Sequence, residues 1–381
     1  MLLFWLSLFI LLLVTVVAFG VIRAESYVQR LAGRPFAERK WPSVSIIVCA
    51  RNEQESIREA VTTLLHQDYP KYQLLVVNDR STDRTGQILQ ELQAEQPRLV
   101  LVNIDELPNG WLGKCHAMHV GAKSATGDWL LFTDADVSMQ SDTLKRTISY
   151  ALDENADHLA LVPECIMPNW LLHAFIATFS IFFKILVKPS QIANPQSPAH
   201  VGIGAFNLVR SEVYRKLQGH ETIRLRPDDD LKLGKIIKMN GYRQRFASGI
   251  GLISVPWYPS VLALVRGLEK NSYAGMDYSP AKLVLTNLAL PTLFVMPWIL
   301  LCMATGVSWW LLLATCVAML GMAIHNAVSL GYTWLYGLFF PVGVLMFLFV
   351  INRAIWLTYW RQGIYWRDHF YSLDELRSNP V

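Results

Sequence analysis

The sequence predicts an α/β protein with a mostly parallel sheet and with apolar helices at both ends of the chain. Of the 381 residues, 52% are hydrophobic and only 17% are charged, whereas a soluble domain carries about 25% charged residues. The apolar excess lies in residues 1–22 and 283–352, neither of which contains a charged side chain. Between these segments, β-branched runs alternate with amphipathic ones, which is typical of βαβ units.

The first apolar segment, residues 1–22, predicts a transmembrane anchor, because about 20 residues span a bilayer as a helix. A cleaved signal peptide is the alternative. It is disfavoured because no basic residue precedes the apolar run and no clear small-x-small cleavage site follows it. Basic side chains follow the segment, so residues 23 onward are expected on the cytoplasmic side. These side chains are Arg23, Arg30, Arg34, Arg39 and Lys40.

The five cysteines do not indicate a metal site, and the net charge does not indicate a nucleic-acid partner. The cysteines show no metal-binding spacing, and reduced structural thiols agree with a cytoplasmic domain. A net charge of +4 is ordinary for a protein at a membrane and does not indicate nucleic acid.

Residues 23–275 are expected to form one cytoplasmic domain of α/β class. Strands and helices alternate there with short loops, which predicts a parallel sheet covered on both faces. Polar side chains follow three of the strands, and ligands bind at the carboxyl ends of strands in such sheets. The predicted strands lie at residues 42–50, 72–79, 99–105, 128–136 and 158–164.

The second apolar segment predicts about three transmembrane helices within residues 276–358, followed by a polar tail at 359–381. Residues 170–187 are also apolar, but they contain His173 and Lys184. We therefore expect an interfacial helix there rather than a span.

Three C-terminal spans create a conflict of orientation. They would leave the C-terminus outside, whereas the arginines of the tail favour the inside. Either one apolar segment is re-entrant, or residues 170–187 cross the membrane after all. The arginines concerned are Arg353, Arg361, Arg367 and Arg377.

Asp134 and Asp136 follow a hydrophobic strand, and buried carboxylates need a partner. Two oxygen ligands on alternate positions suit a hard divalent cation that neutralises a diphosphate. A solvated acidic turn is the alternative for this motif taken alone. We expect the partner of the pair to be such a metal-bound diphosphate and not a basic side chain.

Other polar groups are expected beside this pair. Asp79 ends a strand and suits N–H and hydroxyl donors of a base or ribose, and Lys114 at a helix start suits a phosphate. Glu53 could equally compensate a helix dipole. Asp229 and Asp230 precede an amphipathic helix, where one of them could act as a general base, although a solvated loop is the alternative.

These motifs together resemble the family 2 glycosyltransferases, which are inverting enzymes of the GT-A type. The resemblance covers residues 43–242 and is carried by SIIVCARNEQESI, VVNDRSTDRT, GWLGKCHAMHVGAKSATGDWLLFTDADV and DDDLKLGKIIKMNGY. The apolar ends and the closing YWRDHFYSLDEL are similar to the membrane branch that glycosylates lipids, which includes ceramide glucosyltransferase and hopanoid- or carotenoid-associated relatives.

The resemblance implies a role for each candidate. Glu53 and Asp79 would hold the uridine moiety, and Lys114 would contact the nucleotide or the diphosphate. Asp134 would face the nucleotide or the donor sugar, and Asp136 would ligate Mn²⁺ or Mg²⁺ on the diphosphate. Asp230, with Asp229 beside it, would be the catalytic base. The membrane branch carries an Arg-Trp motif before its C-terminal spans, which the stretch LVRGLEKNSYAG lacks. The diphosphate contacts of that motif would fall to Arg266, Lys270 and Asn271. His220 is a further candidate for a diphosphate or acceptor contact.

The resemblance implies a multi-pass enzyme of a bacterial cell membrane. It would transfer a hexose from a nucleotide sugar of the UDP-glucose or UDP-GlcNAc type to a hydroxyl of a membrane lipid. A polyprenyl-phosphate glycosyltransferase and a polysaccharide synthase are alternatives within enzymes. A membrane subunit that binds nucleotide sugars without catalysis is the alternative outside them.

Overall fold

The computed structural model describes residues 1–367 and 369–381 and divides them into two compact units. The α/β unit contains residues 28–166, 189–257 and 378–381. The helical unit contains residues 1–27, 167–188 and 258–377.

The strands are short and lie mostly in the α/β unit. In chain order they are β1 (Gln29–Arg30), β2 (Val44–Ala50), β3 (Tyr72–Asp79), β4 (Leu99–Ile104), β5 (Trp129–Asp134), β6 (Ser138–Met139), β7 (His158–Val162), β8 (Glu164–Ile166), β9 (Asn207–Arg210), β10 (Gln244–Ser248), β11 (Ile253–Pro256), β12 (Gly363–Trp366) and β13 (His369–Ser372).

The helices divide between the two units. In chain order they are α1 (Leu2–Ala24), α2 (Ile57–Leu65), α3 (Thr85–Glu95), α4 (Gly113–Ser124), α5 (Thr143–Asp153), α6 (Trp170–Val187), α7 (Pro189–Ile192), α8 (Ser211–Lys216), α9 (Gly219–Thr222), α10 (Asp229–Met239), α11 (Val261–Gly267), α12 (Glu269–Ala274), α13 (Pro280–Phe294), α14 (Met296–Leu301), α15 (Gly306–Ser329), α16 (Leu335–Leu338), α17 (Phe340–Arg361) and α18 (Leu373–Arg377).

An eight-stranded sheet forms the centre of the α/β unit, in the order β1-β10-β7-β9-β5-β2-β3-β4. Only β9 runs antiparallel to its neighbours, β5 and β7, and the other pairs are parallel. The prediction of a mostly parallel sheet is therefore confirmed. A small sheet of β6, β11 and β8 lies in the same unit.

Both faces of the large sheet are covered, as its apolar strands require. Successive side chains of a strand point to opposite faces, and β2 divides accordingly. Ile46 and Val48 belong to a core with α2, α3 and α5. Ile47 belongs to a second core with α4, α8 and α10.

The five predicted strands correspond to β2, β3, β4, β5 and β7. The sequence did not indicate β9 and β10, which complete the sheet. Both are four or five residues long and carry arginine or glutamine, so they lack the apolar runs by which the other strands were recognised.

The helical unit accounts for the apolar segments of the sequence. Among the residues that the structure describes, five helical stretches are long and apolar enough to cross a membrane, as judged by length and composition. They are Leu2–Tyr27, Trp170–Ile192, Pro280–Leu301, Gly306–Ser329 and Phe340–Arg361.

The unit boundaries differ from those expected at 22, 275 and 358. The α/β unit ends at residue 257 and is interrupted by residues 167–188, because α6 packs with α15 and α17 in the helical unit. Most of the expected polar tail is structured: α17 continues to Arg361, and β12 pairs with β13.

Candidate active site

The carboxyl ends of β2, β3 and β5 meet at one edge of the large sheet. Cys49 of β2 is opposite Asp134, the last residue of β5. On the other side, Ala50 is opposite Asn78, one residue before Asp79 ends β3. The polar residues that follow these three parallel strands therefore lie together, as predicted.

Asp134 has a basic partner. The Nζ atom of Lys114 lies 2.7 Å from Asp134 Oδ1, and the Asp134 side chain remains 37% exposed. The expectation that no basic side chain would pair with this motif was wrong, because the start of α4 brings Lys114 over the end of β5.

Asp136 lies in a negative environment. Burial, followed by the nearby carboxylates of Asp134 and Glu53, raises the pKa of Asp136 to about 7. Each of these groups disfavours a charge on Asp136. A cation bound here would therefore relieve repulsion among three carboxylates.

Lys114 is the cation of the cluster. Burial lowers the pKa of Lys114, but the carboxylates of Asp134, Asp229 and Asp230 outweigh burial, so the pKa lies well above its ordinary value. Its Nζ atom is also 3.7 Å from Asp229 Oδ1. One protonated lysine thus links the acid of β5 to the start of α10.

Asp79 is 2% exposed and is paired with the next residue in the chain. Arg80 donates from Nε to Asp79 Oδ1 at 2.7 Å and from a terminal nitrogen to Oδ2 at 2.9 Å. Gly113 allows α4 to approach this pair, since a Cβ atom there would lie 2.8 Å from both side chains. A nucleoside can reach Asp79 only through the second lone pair of each oxygen or by displacing Arg80.

Glu53 lies in the loop between β2 and α2. Its backbone N–H donates to Thr85 Oγ1 at 2.8 Å, which joins this loop to the start of α3. Its carboxylate influences Asp136, as described above. Glu53 therefore belongs to the same acidic cluster.

Asp229 and Asp230 are the first two residues of α10, and their surroundings differ. Asp229 is buried, with Oδ1 towards Lys114 and Oδ2 3.8 Å from His220 Nε2. Asp230 is half-buried. Its Oδ2 accepts the Gly204 N–H at 2.8 Å, and its Oδ1 accepts the Leu231 N–H at 2.7 Å.

The pKa of Asp230 is raised to about 7. Burial is the largest cause, and the Asp229 carboxylate is the next. Lys114 and the Leu231 N–H act in the opposite direction and do not cancel these effects. A carboxylate with a pKa near neutrality suits a general base.

Gly204 connects the two acidic motifs. Its N–H holds Asp230, and a Cβ atom at this position would lie 2.6 Å from Asp134 Oδ2. Asp134 and Asp230 therefore flank the same residue. This loop was not predicted from the sequence, although Gly202 and Gly204, shortly before β9, were a usable signal.

A buried polar network holds the backbone carbonyl of Asp230, and no local sequence pattern indicated it. The side-chain amide of Asn207 donates to the Asp230 carbonyl at 3.2 Å, and Asn207 Oδ1 is bonded to His158 Nε2. His158 Nδ1 faces Gln244 Nε2 at 2.9 Å. Burial lowers the pKa of His158 to about 4, so the imidazole is neutral.

His220 lies behind Asp229 and not in an open groove. It is 1% exposed, and its Nδ1 is 2.9 Å from Tyr214 Oη. Burial lowers its pKa, against the attraction of Asp229. These surroundings favour a role for His220 in positioning Asp229 over the expected contact with diphosphate or acceptor.

Arg266 and Lys270 belong to the helical unit, in α11 and α12. Arg266 is exposed, and Lys270 Nζ lies 4.0 Å from the ring centroid of Trp366. The other candidates belong to the α/β unit. The structure therefore assembles Glu53, Asp79, Lys114, Asp134, Asp136, Asp229, Asp230 and His220 within one unit.

The acidic cluster suits a cation that shares its ligands with a substrate. Within the part of the chain that the structure describes, no group of three or more His, Cys, Asp or Glu side chains is arranged to hold a metal. Mg²⁺-like cations commonly take one or two carboxylates and complete their shell with phosphates and water. Asp134 and Asp136 offer such a set of oxygen ligands.

Comparison with known proteins agrees with this fold. The fold resembles that of the mannosyltransferase PcManGT from Pyrobaculum calidifontis, solved in complex with GDP-Man and Mn²⁺. The TM-score is 0.52 at 18% identity, over 92% of this chain and 99% of that one. At this identity the likeness shows the fold alone, which is that of a GT-A type glycosyltransferase. Residues 45–218 match the family described as Glycosyl transferase family 2.

Two curated relatives carry names that refer to lipids. The chain is 24% identical over 236 residues to a 4,4'-diaponeurosporenoate glycosyltransferase of Staphylococcus haemolyticus, which is 61% of this chain and 62% of that protein. It is 34% identical over 112 residues to a beta-monoglucosyldiacylglycerol synthase of Synechocystis, which is 29% of this chain and 23% of that protein. The matches thus span less than two thirds of either relative.

Proposed function

We propose that the protein transfers a sugar from a nucleotide diphosphate sugar to a hydroxyl group of a membrane lipid, with inversion at the anomeric carbon. The match to family 2 supports the reaction class, and the names of the two relatives support a lipid acceptor. The observation that carries the proposal is Asp230, a half-buried acid with a pKa near 7 that shares Gly204 with Asp134.

Asp230 is the general base of this proposal. Two backbone N–H groups fix its carboxylate, and its partial exposure leaves it open to an acceptor. It removes the proton of the attacking hydroxyl, a contribution of about 10²- to 10⁴-fold in rate. Asp229 is the less exposed acid. We assign it to holding Lys114 and to raising the basicity of Asp230.

Lys114 and Asp134 form the donor side of the site. The protonated amine of Lys114 attracts the diphosphate and stabilises the charge that grows on it when the sugar leaves. Asp134 contacts the donor sugar, and Glu53 and Asp79 hold the nucleoside. A uridine donor, of the UDP-glucose or UDP-GlcNAc type, fits acceptor-only carboxylates, because uracil and ribose offer N–H and hydroxyl donors.

Mn²⁺ or Mg²⁺ is the proposed cofactor, held by Asp136 with Asp134 beside it. When bound, such a cation neutralises the charge of the leaving diphosphate. The raised pKa of Asp136 supports this assignment, since the acid stands in a negative environment that a cation would balance.

The bilayer is the proposed location of the helical unit, because it carries the five helices suited to span a membrane. The basic residues after α1 favour the cytoplasmic side for the α/β unit. A water-borne donor and a membrane-borne acceptor can then meet on that side. Arg266 and Lys270, both in the helical unit, remain our proposed diphosphate or acceptor contacts.

The test is an assay of the purified full chain with labelled nucleotide sugar, with and without an extract of membrane lipids. We expect labelled glycolipid from the wild type. We expect Asp230→Asn to lose at least a hundredfold in turnover, while nucleotide diphosphate binding persists. The control is Asp105→Asn, an exposed carboxylate in the loop after β4, which should leave turnover unchanged.

Other outcomes separate the alternatives. Donor binding without any lipid-stimulated turnover would indicate a binding subunit. A labelled product cleaved by mild acid would indicate a sugar on a polyprenyl phosphate, because a glycosidic bond to a lipid hydroxyl survives that treatment. A product that lengthens by repeated sugar addition would indicate a polysaccharide synthase. Normal turnover of Asp230→Asn would contradict the assignment of the base.

A further inference from the structure

Two of the five apolar helices, α6 and α17, are connected in a way that bears on whether they cross a membrane. The chain leaves the α/β unit before α6 and returns to it after α6. β7 before α6 and β9 after it pair directly in the large sheet, with His158 opposite Val209. A sheet cannot be divided by a bilayer, so both ends of α6 lie on the same side of the membrane.

A polar cluster joins the ends of three helices in the helical unit. Lys184, in the last turn of α6, donates to Glu25 Oε2 at 2.5 Å and to Asn326 Oδ1 at 2.9 Å. Asn326 in turn donates to Ser180 Oγ at 2.7 Å. Glu25 directly follows α1, and Asn326 lies in the last turn of α15. The C-terminal ends of α1, α6 and α15 are therefore neighbours.

This cluster fixes the direction of α15. The α/β unit begins at residue 28, three residues after Glu25. The end of α1 therefore lies on the side of the membrane that holds the α/β unit, and the end of α15 lies there too. Because the chain also leaves the α/β unit on that side at residue 257, α13–α14 and α15 form one crossing out and one crossing back.

The last four residues fix the other end of α17. Residues 378–381 belong to the α/β unit. Asn379 Oδ1 accepts the Leu225 N–H at 3.1 Å, and the Val381 carbonyl accepts a bond from Lys235 Nζ at 2.5 Å. α17 therefore starts and ends on the side of the α/β unit. It is one unbroken helix, so it cannot enter the membrane and turn back within its length.

The surface of α17 is apolar where nothing covers it. One stripe, at the spacing of a single helix face, has side chains between 41% and 75% exposed. The stripe consists of Val342, Leu345, Phe349, Trp356 and Trp360. On another face, Gly343 approaches α6 so closely that a Cβ atom would lie 2.1 Å from Thr178 Oγ1.

We infer that only α1, α13–α14 and α15 cross the membrane, and that α6 and α17 lie as a packed pair in the leaflet nearest the α/β unit. The exposed stripe of α17 contacts the acyl chains of that leaflet. Its two tryptophans suit this position, because tryptophan is favoured near the lipid headgroups. The inference rests on the membrane placement proposed above. It reduces the expected C-terminal crossings from three to two and puts Arg353, Arg361, Arg367 and Arg377 on the inside, which removes the conflict of orientation.

The test is cysteine labelling of the full chain in sealed membrane vesicles with a membrane-impermeant maleimide. Single-cysteine variants carry Thr333→Cys before α17 or Tyr365→Cys after it, in a chain whose five native cysteines are replaced by alanine. A matched chain keeps only Cys302, in the turn between α14 and α15. We expect positions 333 and 365 to react from the cytoplasmic side alone and Cys302 from the opposite side alone.

Labelling of positions 333 and 365 from opposite sides would overturn the inference, as would labelling of Cys302 from the same side as either. Reaction of all three from both sides would refute the membrane placement, whereas the glycolipid assay tests the reaction independently. Each variant must elute like the wild type in detergent. Nitroxides at Leu345→Cys and Trp356→Cys give a second readout: equal depths are expected, while a crossing helix would separate them by about 16 Å.

Discussion

Asp229 and Asp230 are adjacent in the chain, and the fold gives them different chemistry. Asp229 faces a lysine and a buried histidine, so it is closed to substrate. Asp230 is fixed by two N–H groups and stays partly open. The helix start at Asp229 produces this difference, because successive residues of a first turn point in directions about 100° apart. The proposed base, Asp230, and the residue that supports it, Asp229, thus come from one short motif.

The raised pKa of Asp230 predicts the pH dependence of transfer. The base acts when deprotonated, so turnover should rise with pH through about 7 and level off above it. Lys114 lowers the pKa of Asp230, so Lys114→Met should move this midpoint to higher pH and weaken donor binding. The measurement is a profile of turnover against pH for both proteins. A midpoint for Lys114→Met at or below that of the wild type would contradict the electrostatic link.

The loop before β9 and the start of α10 act as one element. Gly202 lies so close to this helix that a Cβ atom would be 1.7 Å from the Asp230 carbonyl oxygen. Gly234, one turn further along α10, approaches the Val201 carbonyl in the same way, at 1.8 Å. Two glycines therefore let the loop and the helix touch by their backbones, which sets the position of the base.

Gly202→Ala should separate these two backbones. We expect a loss of about 1–3 kcal/mol in the free energy of unfolding, as for other overpacked sites, and a fall in turnover at unchanged donor affinity. Denaturant unfolding in detergent and steady-state kinetics measure the two effects. The control is Gly321→Ala in α15, where a Cβ atom meets nothing within 4 Å. Equal behaviour of the two variants would show that the contact does not position Asp230.

Elements with a strong hydrophobic pattern, and the acidic residues at their ends, could be predicted from the sequence. β2, β3 and β5 are apolar runs that end in polar residues, so both the sheet and the acidic cluster could be predicted. Side-chain positions that depend on contacts between residues distant in the chain could not be predicted. The pairing of Asp134 with Lys114, the closure of Asp79 by Arg80, and the support of Asp230 by Asn207 and His158 all arise from tertiary packing, for which no local pattern exists.

At the scale of the whole molecule, the chain returns to the α/β unit in its last four residues. Residues 378–381 lie against the segment that precedes Asp229, where Asn379 accepts the Leu225 N–H and donates to the Thr222 carbonyl at 3.0 Å. The tail is therefore a structural part of the α/β unit, although the helical unit separates it from the sheet by more than a hundred residues.

Asn379→Ala removes both bonds and leaves the Leu225 N–H without its partner. An unsatisfied buried group costs about 1–3 kcal/mol, so faster hydrogen exchange of the Leu225 amide and a lower melting temperature are expected. Asn109→Ala, in the loop between β4 and α4, is an exposed control from the same unit. Unchanged exchange at Leu225 would show that the tail contributes nothing to this segment.

The order of synthesis gives the polar cluster of Glu25, Lys184 and Asn326 a further meaning. The ribosome completes the large sheet at β10, long before it makes α15 and α17. Domains generally fold as units during synthesis, the N-terminal one first. The apolar side of α6 therefore stays uncovered until α15 and α17 have been synthesised. In the placement proposed above, α6 lies on the bilayer surface next to α1 during this interval. Synthesis of Asn326 then allows the cluster to close before α17, a further partner of α6, has been made.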